Sequence, residues 1–171
     1  MFRTILCSCL LAGAIAPAAF PNGAPQPACK AAERHQFDFW IGDWEVTQAG
    51  KPAGTNRIDV VLDGCALLEN WTGKGGVRGH SLNFYDPDRG HWQQTWVDSS
   101  GSSLNLTGHF AGGRMMLSSL APGLKQADRI TWTPNADGSV RQLWEHTEDA
   151  GRTWTTAFDG LYRRKTPASA G

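Results

Sequence analysis

The sequence has no excess charge of either sign. Its 171 residues carry 16 Lys and Arg against 16 Asp and Glu, and only 19% of them are charged. Nucleic-acid backbones and anionic lipid surfaces both select a Lys/Arg excess, so neither partner is expected. An apolar run of roughly 20 residues, the length that spans a bilayer, is also missing. So are a Cys-x-x-Cys pair and a Gly-x-Ser-x-Gly turn, which leaves redox and Ser-nucleophile chemistry without their usual frames. Between Gly42 and Arg164 no stretch has a helical period. What the sequence does have is eight tryptophans, 20 glycines and nine prolines, with 40% hydrophobic residues. That mixture predicts a single core built of many short strands separated by turns.

The first eighteen residues read as a signal peptide, with Arg3 as the positive region, Ile5 to Ala16 as the apolar region and Ala16-Pro17-Ala18 as the cleavage site. A lipoprotein alternative through Cys9 has too few apolar residues before it. The mature protein is therefore expected to be exported, periplasmic or extracellular, with no membrane insertion after signal removal. It keeps 15 basic and 16 acidic residues. Cys7 and Cys9 leave with the leader, and the remaining pair, Cys29 and Cys65, most simply forms one disulfide in an oxidising compartment.

Residues 19–36 read as a linker and the start of a short helix, with Ala31 to Phe39 long enough for one or two turns. Residues 37–164 form the β domain, and 165–171 a flexible tail. Turn signals recur at short intervals: Asp63-Gly64, Asp86-Pro87-Asp88-Arg89-Gly90, Asp98-Ser99-Ser100-Gly101, Ala111-Gly112-Gly113 and Pro134-Asn135-Ala136-Asp137-Gly138. The segments between them number about ten strands. The expected fold is therefore all-β, an antiparallel up-and-down barrel of the lipocalin or calycin kind with a short N-terminal helix. Thr147 to Trp154 resembles a single Asp-box, the hairpin motif of sialidase-type propellers, and is expected to brace a hairpin without implying glycosidase activity.

The turns phase the side chains, because a slip of one residue reverses a strand's faces. A turn at 87–89 sets Phe84, Leu82 and His80 opposite Trp92, Gln94 and Trp96. A turn at 99–101 sets Trp96 and Gln94 opposite Leu104 and Leu106. Ser81, Asn83, His91, Gln93 and His109 then fall outside. Across Asp63-Gly64, Ile58, Val60 and Leu62 align with Leu67, Glu69 and Trp71; farther on, Gln142 and Trp144 align with Trp154, Thr156 and Phe158. Glu69, Gln94 and Gln142 thus land on Trp-rich inner faces. Burying such groups is costly unless they are hydrogen-bonded. Two readings stay open: a barrel with a polar-lined cavity, or a solid core in which these groups brace one another.

Four segments, Phe37 to Trp44, Gly64 to Trp71, Trp92 to Asp98 and Arg141 to Trp154, resemble a family of secreted bacterial proteins of unknown function described as DUF1579-like. The resemblance implies a lipocalin-like barrel and no particular reaction. Gly42-Asp43-Trp44 also resembles the opening Gly-x-Trp motif of lipocalins, where the tryptophan packs across the closed end of the barrel.

The leading expectation is a small, partly apolar ligand held inside the barrel by Glu69, Trp71, Gln94, Trp96, Gln142 and Trp144. No cofactor is expected. A haem site would need an inward histidine, for which His80 and His146 are the candidates. His91 opposite His109 offers two metal ligands without a third. The glycine-rich loop Gly73 to Gly79 lacks the Lys-Ser/Thr ending of a phosphate loop. Acid–base catalysis through Glu69, and a solid barrel acting through its surface, are the rival functions.

Overall fold

A computed structural model describes residues 29–166. The expected signal peptide, the expected linker before Cys29 and the expected tail after Thr166 lie outside the described residues. Two short 3-10 turns, Ala32–His35 and Asp38–Trp40, precede ten strands. These are β1 (Gly42–Gln48), β2 (Lys51–Val61), β3 (Ala66–Gly73), β4 (Arg78–Asp86) and β5 (His91–Asp98), followed by β6 (Ser103–Ala111), β7 (Arg114–Ser118), β8 (Ala127–Pro134), β9 (Val140–Thr147) and β10 (Thr155–Arg164). Each strand pairs antiparallel with its neighbours in sequence, and β1 closes the barrel against β10. Closure removes both sheet edges, and the antiparallel pairing of consecutive strands makes all odd-numbered strands run the same way. Among the described residues no helix is long and apolar enough to cross a membrane.

One end of the barrel is plugged by the 3-10 turns. Phe37 stacks on Trp40 at 4.9 Å and meets Trp92 and Trp132 edge-on at 5.6 and 5.2 Å. The Trp44 indole donates to the Trp40 carbonyl at 2.8 Å, and the Arg164 guanidinium lies 4.5 Å over the Trp44 ring. Gly42 beside it has a φ of +131°, a conformation that L side chains rarely adopt. Cys29 and Cys65 form the expected disulfide, tying the N-terminal segment to the chain just before β3.

The phasing holds across β5 and β6, where Trp96 pairs with Leu104 and Gln94 with Leu106. It fails across β4 and β5. Four residues, Pro87 to Gly90, lie between the strands rather than three, so Tyr85 pairs with Trp92, Asn83 with Gln94 and Ser81 with Trp96. The Asp86 carboxylate takes the backbone N–H groups of Asp88 and Arg89, and the Gly90 N–H returns to the Asp86 carbonyl. That capped turn needs the fourth residue. Ser81 and Asn83 therefore point inward and are fully buried, while His80, Leu82 and Phe84 face outward, with Leu82 37% exposed.

Three further expectations are corrected. Asp63-Gly64 turns the chain, with the Cys65 N–H returning to the Leu62 carbonyl at 3.0 Å, but pairing stops one residue earlier on each strand than expected, so Leu62 to Cys65 connect β2 and β3, with Leu62 and Asp63 in left-handed conformation. The chain turns away there, leaving Val60 and Leu62 exposed. A bulge between Thr156 and Phe158 sets Phe158 opposite Trp144 but turns Thr156 outward, opposite Glu145. Trp154 lies outside the barrel wall, with the Arg129 guanidinium 4.1 Å over its ring. There Asp149 accepts from the Thr153 N–H and hydroxyl, and Trp154 donates to the Gly151 carbonyl, bracing the β9–β10 connection as the Asp-box resemblance implies.

Candidate functional site

The interior is layered because β3, β5 and β9 share one direction. On each of these strands a polar residue precedes a tryptophan by two positions: Glu69 and Trp71, Gln94 and Trp96, Gln142 and Trp144. Two residues advance an extended strand by about 7 Å. On each of these strands the indole therefore lies farther than the polar group from the end that the 3-10 turns plug. Between them is a cavity of about 400 Å³. All six of these residues line it, together with Leu104, Ile130, Ala157, Phe158 and Tyr162. Such a volume falls within the range of small-molecule pockets.

The cavity floor is a connected polar network. Asn56 Nδ2 donates to Glu69 Oε1 at 2.7 Å, and the Ser81 hydroxyl donates to Glu69 Oε2 at 2.6 Å. Asn83 Nδ2 donates to the Ser81 hydroxyl, and Gln94 Nε2 donates to Asn83 Oδ1, both at 2.8 Å. On the opposite wall the Tyr162 hydroxyl donates to Gln142 Oε1, and Asn56 Nδ2 reaches that hydroxyl at 3.4 Å. Among the described residues, Gln94 Oε1 and Gln142 Nε2 have no partner and remain for the cavity. Asn56 Oδ1 is buried and also unpartnered.

Glu69 is 4% exposed and has no cation beside it. Burial pushes its carboxyl up to about 7, against the smaller opposing effect of the Ser81 and Asn56 hydrogen bonds. The Tyr162 phenol is likewise pushed well above its ordinary value, by burial and then by the Glu69 charge, so it stays neutral. Among the described residues no Lys, Arg or His lines the cavity.

The mouth is aromatic. Trp96 Nε1 donates to Asp98 at 3.3 Å and Trp144 Nε1 to Asp128 at 2.7 Å, which fixes both rings. The Trp96 ring lies on Gly79 of β4, where any Cβ would come within 2.2 Å of it, and the Trp71 ring lies on Gly54 of β2. Trp71 meets Phe158 edge-on at 6.3 Å, although β3 and β10 are not neighbours in the sheet, so this contact crosses the barrel interior. Ala157, the extra residue of the β10 bulge, lines the cavity yet is solvent-exposed, and so sits at the rim.

Asn56, Ser81, Asn83 and Tyr162 are the functional residues that sequence reasoning missed. Asn56 and Tyr162 follow by parity from Ile58 and Phe158, one and two alternations along their strands. Ser81 and Asn83 required the β4–β5 turn to be counted as four residues. Of the histidines, His80 faces outward, hydrogen-bonded at 3.2 Å to the Glu69 backbone carbonyl, and His146 lies beside Asp128 outside the cavity lining. His91 and His109 are neighbours, with ring centroids 6.2 Å apart, but among the described residues no cluster of three or more His, Cys, Asp or Glu could hold a metal. Gly73 to Gly79 spans the end of β3, the loop and the start of β4. No known protein-family model matches the chain, and no curated protein matches it.

Proposed function

We propose that this protein is an exported carrier or sensor that binds a small, partly apolar molecule inside its barrel, as the DUF1579-like resemblance and the N-terminal leader pattern suggest. One observation carries the reading: a cavity of about 400 Å³ has three indoles on its walls and unpartnered polar atoms of Gln94 and Gln142 at its floor. An interior serving only as a packed core leaves no such space. The apolar walls supply affinity by burial, and the floor fixes the orientation of the ligand's polar end.

The test is intrinsic tryptophan fluorescence against a panel of mono- and bicyclic aromatic solutes that includes 3-phenylpropan-1-ol. Saturable quenching or a spectral shift is expected in the native protein. It should be lost in Ala157→Trp, which puts an indole into the rim at a solvent-exposed position. A flat response to the whole panel, indistinguishable from that of Ala157→Trp, contradicts the reading. One observation favours acid–base catalysis through Glu69 as a second reading, namely that burial holds its carboxyl at about 7, where proton transfer near neutral pH is efficient. That reading requires a bound solute to be converted, with product that disappears in Glu69→Gln.

A further inference from the structure

The cavity's charge pattern narrows the ligand class, given the binding reading above. We infer that the site takes an organic cation, a protonated amine on an apolar frame, with its charged end between Glu69 and the tryptophans of the mouth.

Among the described residues that line it, the cavity has one ionisable acid, one neutral phenol and no basic residue. An anionic ligand such as a fatty acid would bring a second negative charge to Glu69 with no Lys, Arg or His to answer it. The Glu69 carboxylate and the free Gln94 Oε1 are both acceptors, which suits a group with several N–H donors. The walls are Trp71, Trp96, Trp144 and Phe158, whose ring faces attract cations, tryptophan most strongly. Two of these indoles donate their N–H to carboxylates, Asp98 and Asp128, which polarises the rings toward greater electron density. Asp98 is itself held below the usual carboxylate range by hydrogen bonds, from the Ser100 hydroxyl above all, and so stays charged. A carboxylate buried among hydrogen-bond donors but without a counter-ion is what a bound cation would complete.

The inference makes binding depend on the ionisation of Glu69. The groups that face its carboxyl are Asn56 from β2, Ser81 from β4 and the Tyr162 hydroxyl from β10, none of them charged. His80 touches only the backbone carbonyl of Glu69, from outside. An alkylamine keeps its charge from pH 5 to pH 8. Its affinity should therefore rise with pH as Glu69 ionises, through about pH 7.

Three probes with one carbon skeleton test this: 3-phenylpropylamine, 3-phenylpropan-1-ol and 3-phenylpropanoate, titrated calorimetrically at pH 8 and pH 5. The amine is expected to bind at pH 8 about tenfold or more tightly than the alcohol, with the carboxylate weakest. That preference should shrink to within about threefold at pH 5, where Glu69 is protonated. Glu69→Gln should remove it at pH 8, and the pH 5 titration gives the same comparison without a substitution. Alcohol binding equal to amine binding at pH 8 would overturn the cation inference and leave the pocket reading standing. Absence of binding by all three probes would overturn both.

Discussion

Glu69 is a carboxyl group with two neutral donors, no cation and almost no contact with water. Such a group is more stable protonated, and its hold on the proton makes folding depend on pH. Its value is about 7 when folded and 4.5 as the ordinary reference. Between these the folded state binds more protons than the unfolded one, so stability falls as pH rises. The contribution is fully present below pH 4.5 and lost by about pH 7, a change on the order of 3 kcal/mol. Denaturant unfolding of the native protein and Glu69→Gln should show this as a difference: the slope between pH 4.5 and 7 is present in the first and absent in the second. Equal slopes would contradict the burial account. The aspartates held low by their hydrogen bonds, Asp149 at about 2 among them, act at lower pH and in the opposite direction. Asn56 suits both states of Glu69, because turning its amide over would present the unpartnered Oδ1 to a protonated carboxyl.

At the scale of elements, the sequence reveals the strands and most of their facing but not every register. Turn residues and alternation place ten strands, and all six candidate lining residues of β3, β5 and β9 fall on the cavity. The failures come from single residues in connections. One extra turn residue reverses β4, and one bulge residue at Ala157 shifts the start of β10. Alternation could not detect the first, since Leu82 and Phe84 look more like core residues than Ser81 and Asn83. The buried carboxyl of Glu69 and the amide of Gln94 select the polar face instead, because they need its donors and acceptors. Paired elements also explain the glycines beneath the indoles. Gly79→Val should push the Trp96 ring out of place, destabilise the barrel by about 1–3 kcal/mol and change the near-ultraviolet circular dichroism of the tryptophans. An unchanged spectrum with native stability would refute the close approach of ring and strand.

The molecule as a whole has two unlike ends. At one, the 3-10 turns fill the barrel with Phe37 and Trp40, and the Cys29–Cys65 disulfide nearby closes a loop worth about 3–4 kcal/mol in the chain-entropy picture. At the other, the tryptophans line a mouth over a polar floor. The eight indoles thus divide by location into Trp40, Trp44, Trp92 and Trp132 in the plugged half, Trp71, Trp96 and Trp144 at the cavity, and Trp154 outside. This division allows the central claim, that the mouth-side cavity is a binding site, to be tested most directly through the indole N–H resonances during titration with 3-phenylpropylamine at pH 8. The resonances of Trp71, Trp96 and Trp144 should shift together and saturate, with those of the plugged half and Trp154 unmoved. Shifts confined to Trp154, or none at any indole, would contradict it.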